Sequence, residues 1–501
     1  MSGDRSSISR RLLLAGLLSG AAGVALGEPL AASLRPPPRP GAPRLPHYAS
    51  AQSLVERAKL GEGTRVGFAV ADAATGEVLE VLNPLLPQPP ASTCKALTAL
   101  YALDALGPDF RFRTTLTGTG PVVEGVLKGD LVLSGSGDPT LDTDRLATLA
   151  ANLRDAGVRQ VEGRFLTWDG ALPRIDRIDS EQPDQVGYNP GVSGLNLNFN
   201  RVHFEWRRAG KGWSTAMDAR SAAYRPDVTV ARMAVVTRRY PIYTYEDSGE
   251  ADLWTVASGA LGDDGSRWLP VRKPAAYTAE VFQILARAEG IPLAGAQPAE
   301  AAPAGEELAA VESGDLRTIL RGMLKHSTNI TAEAVGLAAT ARRAGQVDSL
   351  PSSAGSMSQW LAGRIGSPKP ALVDHSGLGG ASRICARDMV EALVRIGPGL
   401  DLEPLLKPVT MKDDKGRPIE NHPVTILAKT GTLNFVSALA GYITLPGGRR
   451  LAFATFVADT ARRDAIPLEQ RERPDGLSGW LGRARMLQIR LIDRWSTTLA
   501  A

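Results

Sequence analysis

The stretch PPASTCKALTALYALDALG, Pro89 to Gly107, sets a serine and a lysine three residues apart where a proline pair gives way to an apolar helical run. Residues three apart share one face of a helix, so the Lys95 amine lies within reach of the Ser92 hydroxyl. Two readings compete. Ser92 is either the N-cap of the helix, with Lys95 a solvated first-turn side chain, or a nucleophile beside its base. Taken alone the stretch favours the cap, because Ser-x-x-Lys occurs roughly once or twice by chance in a chain of this length.

Two further motifs change that balance. KHSTNITAE carries Ser327-Thr328-Asn329 between helical patterns, and LAKTGTLNF carries Lys429-Thr430-Gly431-Thr432 on a β-rich run. Singly, these are a pair of caps and a strand end. All three in this order form a coincidence of roughly a few per cent at ordinary residue usage.

The chemistry shows what such a set does. A serine hydroxyl is a weak nucleophile until a base takes its proton, and lysine serves only if desolvation and nearby cations keep part of it neutral. Lys95 is the candidate base, and Lys429 supplies the nearby positive charge and attracts a substrate carboxylate. Ser327 relays a proton toward the leaving amine, and Asn329 holds both Lys95 and a substrate amide. The amides of Ser92 and Thr432 are candidate oxyanion donors, with Thr430 and Gly431 beside them on the same strand. The expected reaction is acyl transfer from an amide.

Working outward, TRVGFAVADAATGEVLEVLNP reads as a hairpin leading into the Ser92 helix. From about Arg113 to Tyr277 the chain turns to short strands, with one helical pattern near 142–156. Helical signals resume at AAYTAEVFQILARAEGI. VTILAKTGTL, SALAGYITL and LAFATFVAD read as three consecutive strands, and an amphipathic helix near 477–499 closes the chain. At 501 residues, more than one domain is expected.

At the N-terminus, SISRRLLLAGLLSGAAGVALG sets Arg10 and Arg11 before sixteen uncharged residues, Leu12 to Gly27. That run is short and glycine-rich for a membrane span and resembles a cleaved secretory signal of the Sec or twin-arginine type, with a membrane contact only if it stays uncleaved. Six prolines between Pro36 and Pro46 then read as an extended linker. A formal net charge of +4, without a basic and aromatic stripe, gives no sign of nucleic-acid binding. Five scattered histidines and two cysteines argue against a metal centre and a disulfide framework, and no cofactor is expected. Cys94 reads as a small buried filler.

The three motifs together resemble the signature of the penicillin-recognising serine enzymes. A gap of 235 residues separates Ser92 from Ser327, and only 102 separate Ser327 from Lys429. The large first gap, with SGSGDPTL at 134–141 and VDHSGLGG at 373–380, is similar to the class C low-molecular-mass penicillin-binding proteins, the D-alanyl-D-alanine carboxypeptidase/endopeptidase family. The resemblance implies an α+β, β-lactamase/transpeptidase-like domain, an antiparallel sheet with helices, split in sequence by a largely β insert. The expected division is signal peptide 1–27, linker 28–46, first segment 47–112, insert 113–277 and second segment 278–501.

It also implies a periplasmic serine DD-peptidase whose substrates are peptidoglycan stem peptides and whose inhibitors are β-lactam antibiotics. The alternatives are a β-lactamase or esterase of the same superfamily, and a wall-binding protein without turnover. The sequence departs from the family at one place. Gly380 stands where the family often has a basic residue, so Arg383, with Asp184 in a separate loop, is the candidate side-chain subsite.

Overall fold

The structure, a computed structural model, describes residues 49–499. The signal peptide expected over 1–27 and the linker expected over 28–46 lie outside the described residues.

The chain opens with a hairpin of β1 (Arg65–Asp72) and β2 (Val78–Leu82), followed by helix α1 (Cys94–Leu106). It then enters a second set of elements: β3 (Arg113–Gly118), β4 (Leu131–Gly135), α2 (Thr143–Asp155) and β5 (Phe165–Trp168). Two three-stranded sheets within 201–270 follow, and then α3 (Pro274–Ala288) and β6 (Glu306–Glu312). The return path runs through α4 (Leu316–His326), α5 (Asn329–Ala344), α6 (Leu350–Ile365) and α7 (Ala386–Arg395). Strands β7 (Thr425–Leu433), β8 (Val436–Thr444) and β9 (Arg450–Ala458) and helix α8 (Leu477–Thr498) complete it.

One six-stranded antiparallel sheet joins the two ends of the chain, in the order 407–408, β7, β8, β9, β1, β2. Its central strands β8, β9 and β1 are buried on both faces, and alternation divides their side chains. Phe68, Val70, Phe453 and Val457 pack against Trp480, Leu491 and Trp495 of α8, while Ala69, Ala71, Ala452 and Ala454 face a cluster containing α1, α4, α6 and α7. The alanines on that face let helices approach closely. Helix α1 lies at the centre and is buried from Cys94 through Leu103, which accounts for its apolar character all round.

The intervening residues build their own core. Leu116, Leu133, Leu149, Phe165 and Phe204 pack with Tyr277, Val281, Phe282 and Leu285 of α3 and with Ala309 of β6. β6 also pairs with β3, Ala310 opposite Thr115, in a five-stranded sheet. The boundary expected after Tyr277 therefore falls inside a packed helix, and the exit lies near Ser313. Entry and exit are tied there: the Ser313 amide donates to Phe112 O and the Phe112 amide to Ser313 Oγ, both at 2.9 Å. The expectation failed at this point because an amphipathic helix looks the same in sequence whichever core covers its apolar face.

Candidate active site

Ser92 sits in a single 3₁₀ turn, Ala91–Thr93, that leads into α1. The cap position of α1 belongs to Thr93, whose hydroxyl donates back to Pro90 O at 2.7 Å. Ser92 is turned instead toward Lys95, with Lys95 Nζ 3.0 Å from Ser92 Oγ. Ala91, just before it, has φ of +47°, a left-handed conformation that costs a β-carbon residue on the order of 1 kcal/mol and aims the turn.

Lys95 is fully buried, and its ammonium makes three hydrogen bonds: to Ser92 Oγ, to Asn329 Oδ1 at 2.7 Å and to the carbonyl of Ser376 at 2.8 Å. Burial lowers its pKa to about 8, against the pull of Glu333 and Asp374, which favour the charged form. Asn329 is the first residue of α5. Its Oδ1 is used on Lys95 and its Nδ2 donates to Tyr188 O at 2.9 Å, so the amide group expected to hold a substrate is occupied by a loop of the insert.

Ser327 ends α4 in the left-handed region, φ +59°. Lys429 Nζ donates to its Oγ at 3.0 Å and to Thr430 O at 2.7 Å. Lys429 is buried, and burial first, then the charges of Lys95 and Lys407, press its pKa down to about 6. Its strand, β7, pairs with β8 along its whole length, whereas the strand 407–408 covers only Leu427 and Ala428 on the other edge. The Lys429–Thr432 segment thus presents a free edge toward the serine. Gly431 allows the approach: a β-carbon there would meet Pro90 O at 2.8 Å and Ala91 Cβ at 3.0 Å.

Three buried groups behind the site carry no signal of their own in the motifs. Glu333, one helical turn after Asn329, accepts the amides of His375 at 2.9 Å and Ser376 at 3.0 Å. Asp374 accepts the amides of Gly377 at 2.6 Å and Gly379 at 2.5 Å. Burial raises the pKa of both carboxyls, while those amides and Lys95 oppose the rise. Together they clamp the loop that offers the Ser376 carbonyl to Lys95. His375, in the same loop, is pushed down to about 3 by burial and sits neutral against Ser353 Oγ at 2.8 Å.

A cavity of about 260 Å³ opens over Ser92, Ser327, Asn329 and Thr432, with Tyr188 and Arg463 among its other walls. Neither of the residues expected to read a substrate side chain lines it. Asp184 pairs with Arg177 at 2.7 Å, and Arg383 Nη1 donates to the carbonyls of Gly380 and Ser382 at 2.6 and 2.9 Å. Both are satisfied by local partners, so the expected subsite is corrected on this point. Cys94 is buried with Sγ 3.8 Å from Asp374 O, and burial raises its thiol pKa.

Comparisons with known proteins identify the family. A family model described as the D-Ala-D-Ala carboxypeptidase 3 (S13) family matches residues 50–481. The D-alanyl-D-alanine carboxypeptidase of Actinomadura sp. (strain R39) is 27% identical over 431 residues, 78% of this chain and 77% of the relative. DacB, the D-alanyl-D-alanine carboxypeptidase of Haemophilus influenzae, is 26% identical over 454 residues, 86% of this chain and 94% of the relative. In fold, the chain is similar to the crystal structure of penicillin binding protein 4 from Haemophilus influenzae, with a TM-score of 0.73, 21% identity and coverage of 90% of this chain and 100% of that one.

Proposed function

Because the chain belongs to the D-Ala-D-Ala carboxypeptidase 3 (S13) family and is a serine-type DD-peptidase acting on peptidoglycan, we propose the following division of labour among its residues. Ser92 Oγ attacks the carbonyl of the penultimate D-alanine of a stem peptide, and neutral Lys95 takes the hydroxyl proton. The single observation that carries this reading is the 3.0 Å approach of Lys95 Nζ to Ser92 Oγ inside a fully buried network.

Asn329 and the Ser376 carbonyl fix the amine, so that loss of one proton leaves its lone pair directed at Ser92. The amides of Ser92 and Thr432 receive the oxyanion. Ser327, bonded to Lys429, returns a proton to the departing amine. The terminal carboxylate lies along Lys429, Thr430 and Thr432, and its charge draws the proton back onto Lys429 as substrate binds. Water then releases the acyl group from Ser92.

β-Lactams enter the same cavity as acylating inhibitors; penicillin binding protein 4 of Haemophilus influenzae has been solved in complex with a β-lactam. The reading includes export to the periplasm, supported by Arg10, Arg11 and the uncharged run that follows them. Among the described residues no helix is long and apolar enough to cross a membrane.

The test is digestion of purified muropeptides with products read by mass. Loss of the terminal D-alanine from pentapeptide stems, or opening of cross-linked dimers, is the expected result. Unchanged muropeptides would overturn the reading.

A further inference from the structure

A second cavity, of about 630 Å³, shares Thr432 as a wall with the cavity over Ser92 and is the larger of the two. It lies between the edge of β7, the segment 407–416 and one face of α8, where Gly482, Arg485, Met486 and Ile489 follow at helical spacing. The fold leaves this space open for two reasons. The strand 407–408 pairs with β7 only at Leu427 and Ala428, and Gly431, Ala438 and Gly482 bring almost no side chain to the walls.

The charge around the cavity is one-sided. Lys407, Lys412 and Arg485 line it, and no carboxylate does. Among the described residues none of the three makes an ion pair, and the Arg485 guanidinium donates only to Thr432 Oγ1, at 3.2 Å. The acids of the neighbouring turn are already engaged: Asp413 accepts from Arg417 Nε at 2.8 Å, and Asp414 pairs with Arg490 at 3.2 Å.

Gln488 supplies an independent sign. It lines the same cavity and is only 4% exposed. Its Oε1 accepts from Ser437 Oγ at 3.2 Å, while its Nε2 is buried with no hydrogen-bond partner. A buried N–H without an acceptor is costly, and an oxygen of a ligand removes that cost. Arg485 and Gln488 stand three apart on α8, so one carboxylate can meet both. Val409, Leu439, Met486 and Ile489 make the rest of the wall apolar. Mostly apolar walls, a few placed polar groups and a volume of this order are the make-up of a small-molecule site.

We propose that this cavity is a binding site, separate from the catalytic one, for an amphipathic anion: a carboxylate at the end of an apolar chain. The head lies among Lys407, Lys412 and Arg485 with an oxygen on Gln488, and the chain packs against Met486 and Ile489. The proposal does not rest on the acyl-transfer reading above.

The test titrates the purified protein by calorimetry with octanoate and with 1-octanol, which has the same chain without the charge. Octanoate should bind at one site per chain and at least about tenfold more tightly than octanol, the discrimination of a charge-assisted contact. Arg485→Gln should remove that preference. Gly482→Leu should abolish binding of both probes at an unchanged thermal midpoint, because a β-carbon at 482 meets nothing within 4 Å and the new side chain fills the cavity without strain. Protein acylated with benzylpenicillin should bind octanoate as the free protein does. No saturable binding, equal affinity for the two probes, binding unchanged in both variants, or loss of binding on acylation, which would place octanoate over Ser92, would each overturn the proposal. The peptidase reading stands or falls separately, on the muropeptide digestion.

Discussion

Glu333 Oε1 accepts the amide of Ser376 at 3.0 Å, and the carbonyl of that same Ser376 accepts from Lys95 Nζ at 2.8 Å. One peptide segment thus links a buried carboxylate to the amine beside Ser92. Glu333 acts on Lys95 twice, by fixing the loop and by stabilising the charged amine.

These two actions have separable consequences. Acylation should rise with pH as Lys95 loses its proton. Glu333→Gln removes a negative charge that holds the Lys95 pKa up, so the midpoint of that rise should move to lower pH. Replacing one acceptor oxygen by an amide nitrogen also leaves a backbone amide unpaired, which should slow acylation by about tenfold. The check is the pH dependence of acylation by a fluorescent penicillin. A slower enzyme with an unmoved midpoint would mean that Glu333 acts on the loop alone.

Lys429 should act on the rate and not on the midpoint. Its pKa is pressed down to about 6 and that of Lys95 to about 8, so Lys95 gives up its proton where Lys429 is already neutral, and no charge on Lys429 acts on that step. Lys429→Ala should therefore leave the midpoint in place, with a loss of about tenfold or more in rate from the missing carboxylate contact. The same titration reads both effects. A midpoint moved to higher pH would show that Lys429 is charged while Lys95 titrates.

Gly431 is expected to tolerate no side chain. In Gly431→Ala the new methyl would press on Pro90 O and Ala91 Cβ, pushing β7 away from the serine turn. Overpacking of this kind costs about 1–3 kcal/mol, and the thermal midpoint should fall together with the acylation rate. Calorimetry alongside penicillin labelling checks it. Unchanged stability and labelling would show that the turn yields freely.

The parts of the site that were legible in the sequence are those where chemistry fixes spacing. Ser92 and Lys95 must share a helix face, and Lys-Thr-Gly must lie on a strand with a following hairpin, so both leave local traces. Glu333 left none. It reads as an ordinary helical glutamate until the fold brings residues 374–379 against it. Arg463, on the cavity wall, was equally silent, because the space it fills is the one left by the missing side chain of Gly380, 83 positions earlier. Asp184 and Arg383 misled for the converse reason: each is a charged residue near the right place in the chain, and each is satisfied by a neighbour the sequence does not identify.

The central claim, that Ser92 is the acylated nucleophile of a DD-peptidase, is tested most directly by intact-mass spectrometry after mixing with benzylpenicillin. A penicilloyl group keeps its leaving amine tethered and obstructs water from that side, and Glu181, a carboxylate on the cavity wall, is held by Arg471. The wild type should carry one adduct that persists for minutes, Cys94→Ala should label in the same way, and Ser92→Ala should carry none. An adduct on Ser92→Ala, or a wild-type adduct that vanishes within a second while antibiotic is steadily hydrolysed, would contradict the account.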